Sequence, residues 1–224
     1  MKILAFDAAL GGFSAALDDG ARARAVATGR HDALEVGLSR IEELLREPGL
    51  RLRDLDRLAV GLGPGSFTGV RIAVAYAKSL AYGSGVPLVG ISSYDALEPE
   101  DPPLPALTVV RGRKGVICAR FRRYAAAAGP DRAEMACGPT AEVLDRLLAG
   151  EPGVVHVAGN TEDVLSEIAE RGWVVRALPP RADVPAVAIL QLARSRAPSA
   201  SLHALAPDYG EAPAVTQPKS RREG

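Results

Sequence analysis

Aromatic residues make up only 4% of this 224-residue chain, and lysine occurs only at Lys2, Lys78, Lys114 and Lys219. There are three histidines and two cysteines, and the formal net charge is zero. Each scarcity excludes something. Without aromatics, a core must be built from Ala, Val, Leu and Ile, and the 47% apolar content is ordinary for a globular protein. A chain that grips a nucleic acid backbone unaided carries a basic excess or a concentrated basic patch. Here the arginines are dispersed, apart from short clusters at 120–123 and 219–222. Cys118 and Cys137 are too few for a disulfide framework and are not spaced as a metal clip. Their apolar surroundings mark them as buried, inert thiols. His31, His156 and His203 are widely separated and read as surface or satisfied histidines. No run of about 18 apolar residues and no charged-then-apolar leader is found. The expectation is a cytoplasmic chain without membrane contact.

What is present is alternation. Residues 1–7 read as a strand, the Gly11-Gly12 pair as a turn, and 13–17 as a returning strand. Residues 22–28 alternate Ala or Val with Arg or Thr, the pattern of a strand with one solvated face. Leu34, Leu38, Ile41 and Leu45 recur at helical spacing, with Asp32 as N-cap and Pro48-Gly49 as stop. Residues 57–63 form a short strand, 70–82 an almost uncharged helix, and 86–91 another strand. Four prolines between Pro99 and Pro105 then mark a boundary, because proline cannot continue a helix or sit in a central strand. Beyond it the order repeats, with strands at 107–110, 116–124 and 134–137, a helix at 141–148 capped by Thr140, a strand at 154–157, a helix at 161–170 and a strand at 173–178. Two βββαβαβ units in an α/β chain suggest a duplication. The division expected is 1–100, 106–205 and a loosely packed polar tail at 206–224. A last helix, 184–197, carries Ala186, Ile189, Leu190, Ala193 and Ala197 on one face.

The segment Gly61-Leu62-Gly63-Pro64-Gly65-Ser66-Phe67-Thr68-Gly69-Val70-Arg71 follows a strand and opens a helix. Its glycines allow close approach, and Ser66 or Thr68 can cap the helix. The free N–H groups and the helix dipole favour an anion. Yet no Gly-Lys-Ser/Thr follows, and the glycine spacing is not that of a dinucleotide loop. A phosphate-proximal loop of Asp7, Gly63, Gly65, Ser66, Thr68 and Gly69 and a purely structural helix entry are both open at this point. In the helix, Ala73, Ala77 and Ala81 form a small-residue stripe, widened by Val70, Val74 and Leu80. A helix apolar nearly all round is buried on more than one side, either in its own core or against another subunit.

The run Gly63–Arg71, with Ile72-Ala73-Val74-Ala75-Tyr76-Ala77-Lys78-Ser79-Leu80-Ala81 after it, resembles the signature of the TsaB (YeaZ-like) family. So does Gly85-Val86-Pro87-Leu88-Val89-Gly90-Ile91-Ser92-Ser93. The resemblance covers most of residues 1–98 and becomes one of layout beyond them. It implies an actin-like (ASKHA) fold of two ribonuclease-H-like halves. It also implies a non-catalytic subunit required for threonylcarbamoyl transfer to adenosine 37 of tRNA, dimerising with a catalytic TsaD-like paralogue and joined by a TsaE-like ATPase. The two N-terminal helices then form the partner surface, which assigns Val70, Ala73, Val74, Ala77, Ala81, Leu34 and Leu38 to it. The resemblance admits a homodimer when the partner is absent, without deciding between homodimer and heterodimer, and implies tRNA contact only through the complex. No metal and no cofactor is expected for the isolated chain, with ATP or ADP admitted within the complex. The catalytic relative carries a His-x-x-x-His pair, able to hold a metal ion, where this sequence reads Ser92-Ser93-Tyr94-Asp95-Ala96-Leu97. The phosphate hairpin is also eroded, since Asp7-Ala8-Ala9-Leu10-Gly11-Gly12 keeps only the aspartate and displaced glycines. Two stretches depart from the family pattern: Val110-Arg111-Gly112-Arg113-Lys114 at the second hairpin, and Pro207-Asp208-Tyr209-Gly210-Glu211 near the end. Two other functions compete. An actin-like small-molecule kinase needs a complete phosphate hairpin and a base, and a glycoprotease-like peptidase needs a base beside Ser66, Ser92 or Ser93.

Overall fold

The structure is a computed structural model that describes residues 1–29, 33–123, 133–162 and 164–210. The first half holds strands β1 (Ile3–Asp7), β2 (Ser14–Asp18) and β3 (Ala23–Ala27), helix α1 (Ala33–Arg46), β4 (Arg57–Gly61), helix α2 (Phe67–Ser84), β5 (Leu88–Ile91) and a short helix α3 (Ser93–Leu97). The second half holds β6 (Ala106–Arg111), β7 (Val116–Arg122), β8 (Glu134–Pro139), α4 (Thr140–Leu147), β9 (Val154–Gly159), α5 (Leu165–Glu170), β10 (Val174–Ala177) and α6 (Pro185–Ala193). The first sheet runs β3-β2-β1-β4-β5 and the second β8-β7-β6-β9-β10, one order used twice. In each, the three leading strands are antiparallel and the last two join in parallel. This is the α/β, two-unit arrangement that the alternation predicts.

The strands differ as their burial demands. β1 is apolar throughout but for Asp7 and is buried along its whole length, which suits a strand covered on both faces. β3 alternates exposed and half-buried residues at the sheet edge. On one face of the first sheet, Leu4, Phe6, Leu17, Leu58 and Val60 pack with α1 and α2. On the other face, Ile3, Ala5, Ala16, Ala59, Val89 and Ile91 pack with α6. Thus α6 leaves the half of the chain that precedes it and covers the first sheet. Arg57 fixes the crossing, donating to the carbonyls of Ala193 and Arg196, both at 2.7 Å. The buried Ser14 hydroxyl accepts from the Ala186 amide at 3.2 Å.

Several local expectations shift. α2 starts three residues earlier than the apolar run suggests, because Ser66 caps it by accepting from the Gly69 amide at 3.2 Å. α3 is a further element, capped by Ser92. Thr140 is the first residue of α4 rather than a side-chain cap. Asp32, His31 and residue 124 lie outside the described residues, as does the tail from 211 on. Within the expected loose tail, residues 207–210 are seated: the Asp208 amide donates to the Leu62 carbonyl at 2.7 Å, and the Tyr209 ring packs against Phe67 at a tilt of 37°. The cysteines also correct the reading as thiols. Cys118 and Cys137 are register partners on β7 and β8, 4.1 Å apart at Cα, and they form a disulfide. Strand pairing, invisible in the spacing of 19 residues, brings them together.

Candidate functional site

Three features meet where the two halves join. The first is Asp7, at the end of β1 and fully buried. One carboxylate oxygen accepts from the Leu10 amide at 2.8 Å, so the side chain closes the β1–β2 turn. The other has no hydrogen-bond partner, and a Cβ on Gly61 would fall on it. Burial pushes the acid up to about 6, against the pull of the backbone amides.

The second feature is the loop that leads into α2. The Ser66 amide donates to the Ala9 carbonyl at 2.9 Å, and the Ser93 amide to the Gly63 carbonyl at 2.8 Å. A Cβ on Gly69 would collide with the Ala8 carbonyl, and one on Gly65, which has a φ of +153°, would lie 2.5 Å from the Ala9 carbonyl. Gly63 lies against the Asp208 carbonyl. The structure therefore does bring Asp7, Gly63, Gly65, Ser66 and Gly69 into one region. The glycines there give room to the chain's own backbone, and Ser66 takes up one of the helix N–H groups. Thr68 is exposed in the first turn.

The third feature is an ionic junction that sequence reasoning did not find. Glu98, 4% exposed, follows α3 and binds Arg120 and Arg122 of β7, the second at 2.6 Å. Arg120 also reaches Asp95 at 2.6 Å, and Asp95 accepts from Arg196 at 2.8 Å. Arg181 donates to the Glu98 carbonyl at 2.9 Å. Partners 22 to 101 residues apart leave no local sequence signal. Among the described residues, no group of three or more His, Cys, Asp or Glu is placed to hold a metal ion, and no helix is long and apolar enough to cross a membrane.

The helix face expected to meet a partner needs correction. Val70, Ala73, Val74, Ala77 and Ala81 are between 0% and 3% exposed and pack in the first core. The alanines let α2 approach its own sheet closely, so the stripe is not an outer surface. The opposite side of α2 is the exposed one, with Phe67 at 53%, Tyr82 at 86%, and Arg71, Ala75 and Ser79 between them. Arg71 lies over the Phe67 ring, 5.5 Å from its centroid. On α1, Leu38 is exposed, and the side chain of Leu34 lies outside what is described.

Comparison with known proteins fits this architecture. Over 95 residues the chain is 39% identical to the tRNA threonylcarbamoyladenosine biosynthesis protein TsaB of Escherichia coli, covering 42% of this chain and 41% of that protein. The TsaB of Haemophilus influenzae is 47% identical over 60 residues, covering 27% of this chain and 25% of that one. The aligned stretch thus spans less than half the length of either relative. YeaZ from Pseudomonas aeruginosa, 23% identical, shares the fold with a TM-score of 0.70 over 93% of this chain and 99% of its own. The family model described as TsaD: tRNA N6-adenosine threonylcarbamoyltransferase matches residues 31–170, more than half of the 224, and the chain belongs to that family as a TsaB- or YeaZ-like member.

Proposed function

We propose that this chain is the non-catalytic subunit of a tRNA threonylcarbamoyladenosine-forming complex and acts by docking on a larger TsaD-like catalytic subunit. The observation that carries the reading is the outer face of α1 and α2. Of the seven large apolar side chains exposed among the described residues, Leu38, Phe67 and Tyr82 lie on these two helices. Exposed aromatics beside an arginine are typical interface anchors. The face is rigidly backed, since the other side of α2 is locked into the core.

The non-catalytic part of the proposal is supported by Ser92–Leu97, where α3 carries no histidine pair. It is supported also by the filling of the glycine loop with the chain's own backbone. In this reading the isolated chain uses no cofactor, and ATP or ADP enters only with the assembled complex and its TsaE-like ATPase. The same face serves a homodimer when the partner is missing. The complex is cytoplasmic, and tRNA is held by the assembly.

The test is reconstitution. The TsaD-like subunit, alone and with this chain, is assayed on unmodified tRNA. Activity should require the chain and should be lost with Tyr82→Glu. Full activity of the catalytic subunit alone would reject the proposal.

A further inference from the structure

Residues 207–210 bridge the two halves. The Asp208 amide donates to the Leu62 carbonyl at 2.7 Å, and the Asp208 carbonyl rests on Gly63. Tyr209 lies over Phe67, with 4.7 Å between ring centroids. Gly210 then sits on the Cys118–Cys137 disulfide of the second sheet. A Cβ there would collide with the Cys118 sulfur and lie 2.7 Å from that of Cys137. Its amide closes a turn on the Asp208 carboxylate at 2.8 Å, and its φ is +70°. The seat therefore fits a residue without a side chain.

We infer that the segment 207–210 is a redox-dependent strap: the disulfide seats it, and reduction lifts Tyr209 from Phe67. Bonded sulfurs stand about 2 Å apart, whereas non-bonded heavy atoms need about 3.5–4 Å. Reduction drives the sulfurs apart by about 1.5 Å, into space that Gly210 fills to contact. The chemistry is thiol–disulfide exchange with a dithiol reductant. The Cys118–Cys137 bond breaks, each sulfur takes up one electron and one proton, and the two sulfurs of the reductant join in a disulfide. Cys137 is half-buried on the edge strand β8, whereas Cys118 is buried on β7. Disulfides follow the redox state of their surroundings, so the strap reports that state at the first turn of α2.

Phe67 is one end of the face proposed for the partner, and the consequence for docking rests on that proposal. Strap release does not, so the two fail separately. Hydrogen exchange on the full chain, with and without dithiothreitol, follows the Asp208 amide, while alkylation and intact mass report the bond. The oxidised protein should protect this amide, and reduction should speed its exchange by about tenfold or more, as for a segment freed locally. Cys118→Ala/Cys137→Ala should show one rate under both conditions. Gly210→Ala should exchange rapidly even when oxidised. Equal protection in oxidised and reduced wild-type protein, or an oxidised Gly210→Ala that stays protected, overturns the inference. So does a protein whose two cysteines are alkylated without reduction.

Discussion

Asp7→Asn tests the buried carboxyl at the end of β1 without changing its size. In the folded chain the acid is pushed from the ordinary 3.8 to about 6, chiefly by burial. Well below pH 3.8 the folded and unfolded chains both hold the proton, and the group costs nothing. As the pH rises toward 6, the unfolded chain ionises while the folded chain keeps its proton. Stability should therefore fall across this window by about 3 kcal/mol, at 1.36 kcal/mol per pH unit of separation, and stay lower above it. Asparagine does not titrate. Its amide will not replace the carboxyl perfectly, but that offset is the same at every pH. The informative quantity is the stability of Asp7→Asn minus that of the wild type, measured by urea unfolding at intervals from pH 4 to 7.5. Between pH 4 and 7.5 this difference should rise by about 2.4 kcal/mol in favour of the variant, most of it before pH 6.5, because about 0.6 kcal/mol has already accrued at pH 4. Parallel curves for the two proteins would refute the reasoning, because they would mean that Asp7 ionises alike in both states.

Other outcomes follow from the packing. Glu98→Gln should destabilise by about 3 kcal/mol in chemical denaturation, because Arg120 and Arg122 lose their shared buried partner. Ala77→Leu should cost about 2 kcal/mol by overpacking α2 against its sheet, while Ala75→Leu on the outer face should stay within about 0.5 kcal/mol. Tyr82→Glu should leave the melting temperature of the isolated chain unchanged and remove binding to the TsaD-like subunit in a pull-down. Ile189→Ala should cost about 3 kcal/mol, since this fully buried side chain of α6 fills the second face of the first sheet.

The order of elements along the chain was legible because the strands are short apolar or alternating runs set off by turn residues, and the same series of signals occurs twice. The α2 stripe shows where legibility stops. Ala73, Ala77 and Ala81 announce close approach, but spacing alone does not say whether the neighbour is the chain's own sheet or another molecule. The family resemblance drew the stripe outward; the structure turns it inward and leaves Phe67 and Tyr82 outside, two residues that sequence reading passed over. Their exposure had a signal, since they lie on the side of the helix away from the alanines. Other features had none. The disulfide depends on the β7–β8 register, and the Glu98 junction on partners scattered along the chain. The placement of α6 depends on which sheet face is left uncovered. Asp7 stood out early as the remnant of a phosphate hairpin, and its hydrogen bond to Leu10 fits the simpler role of closing a turn.

The return of α6 to the first sheet bears on how the protein is made. Synthesis is vectorial, and Ile3, Ala5, Ala16, Ala59, Val89 and Ile91 all leave the ribosome well before residues 185–193. Until α6 arrives, one whole face of the first sheet is bare hydrocarbon. Strands β1–β5 cannot cover this face from their own residues, and the cover comes from α6, encoded after the whole second sheet. A nascent chain stalled before Pro185 would present that face as a sticky surface, so residues 185–193 decide whether the far side of β1, β2, β4 and β5 becomes dry.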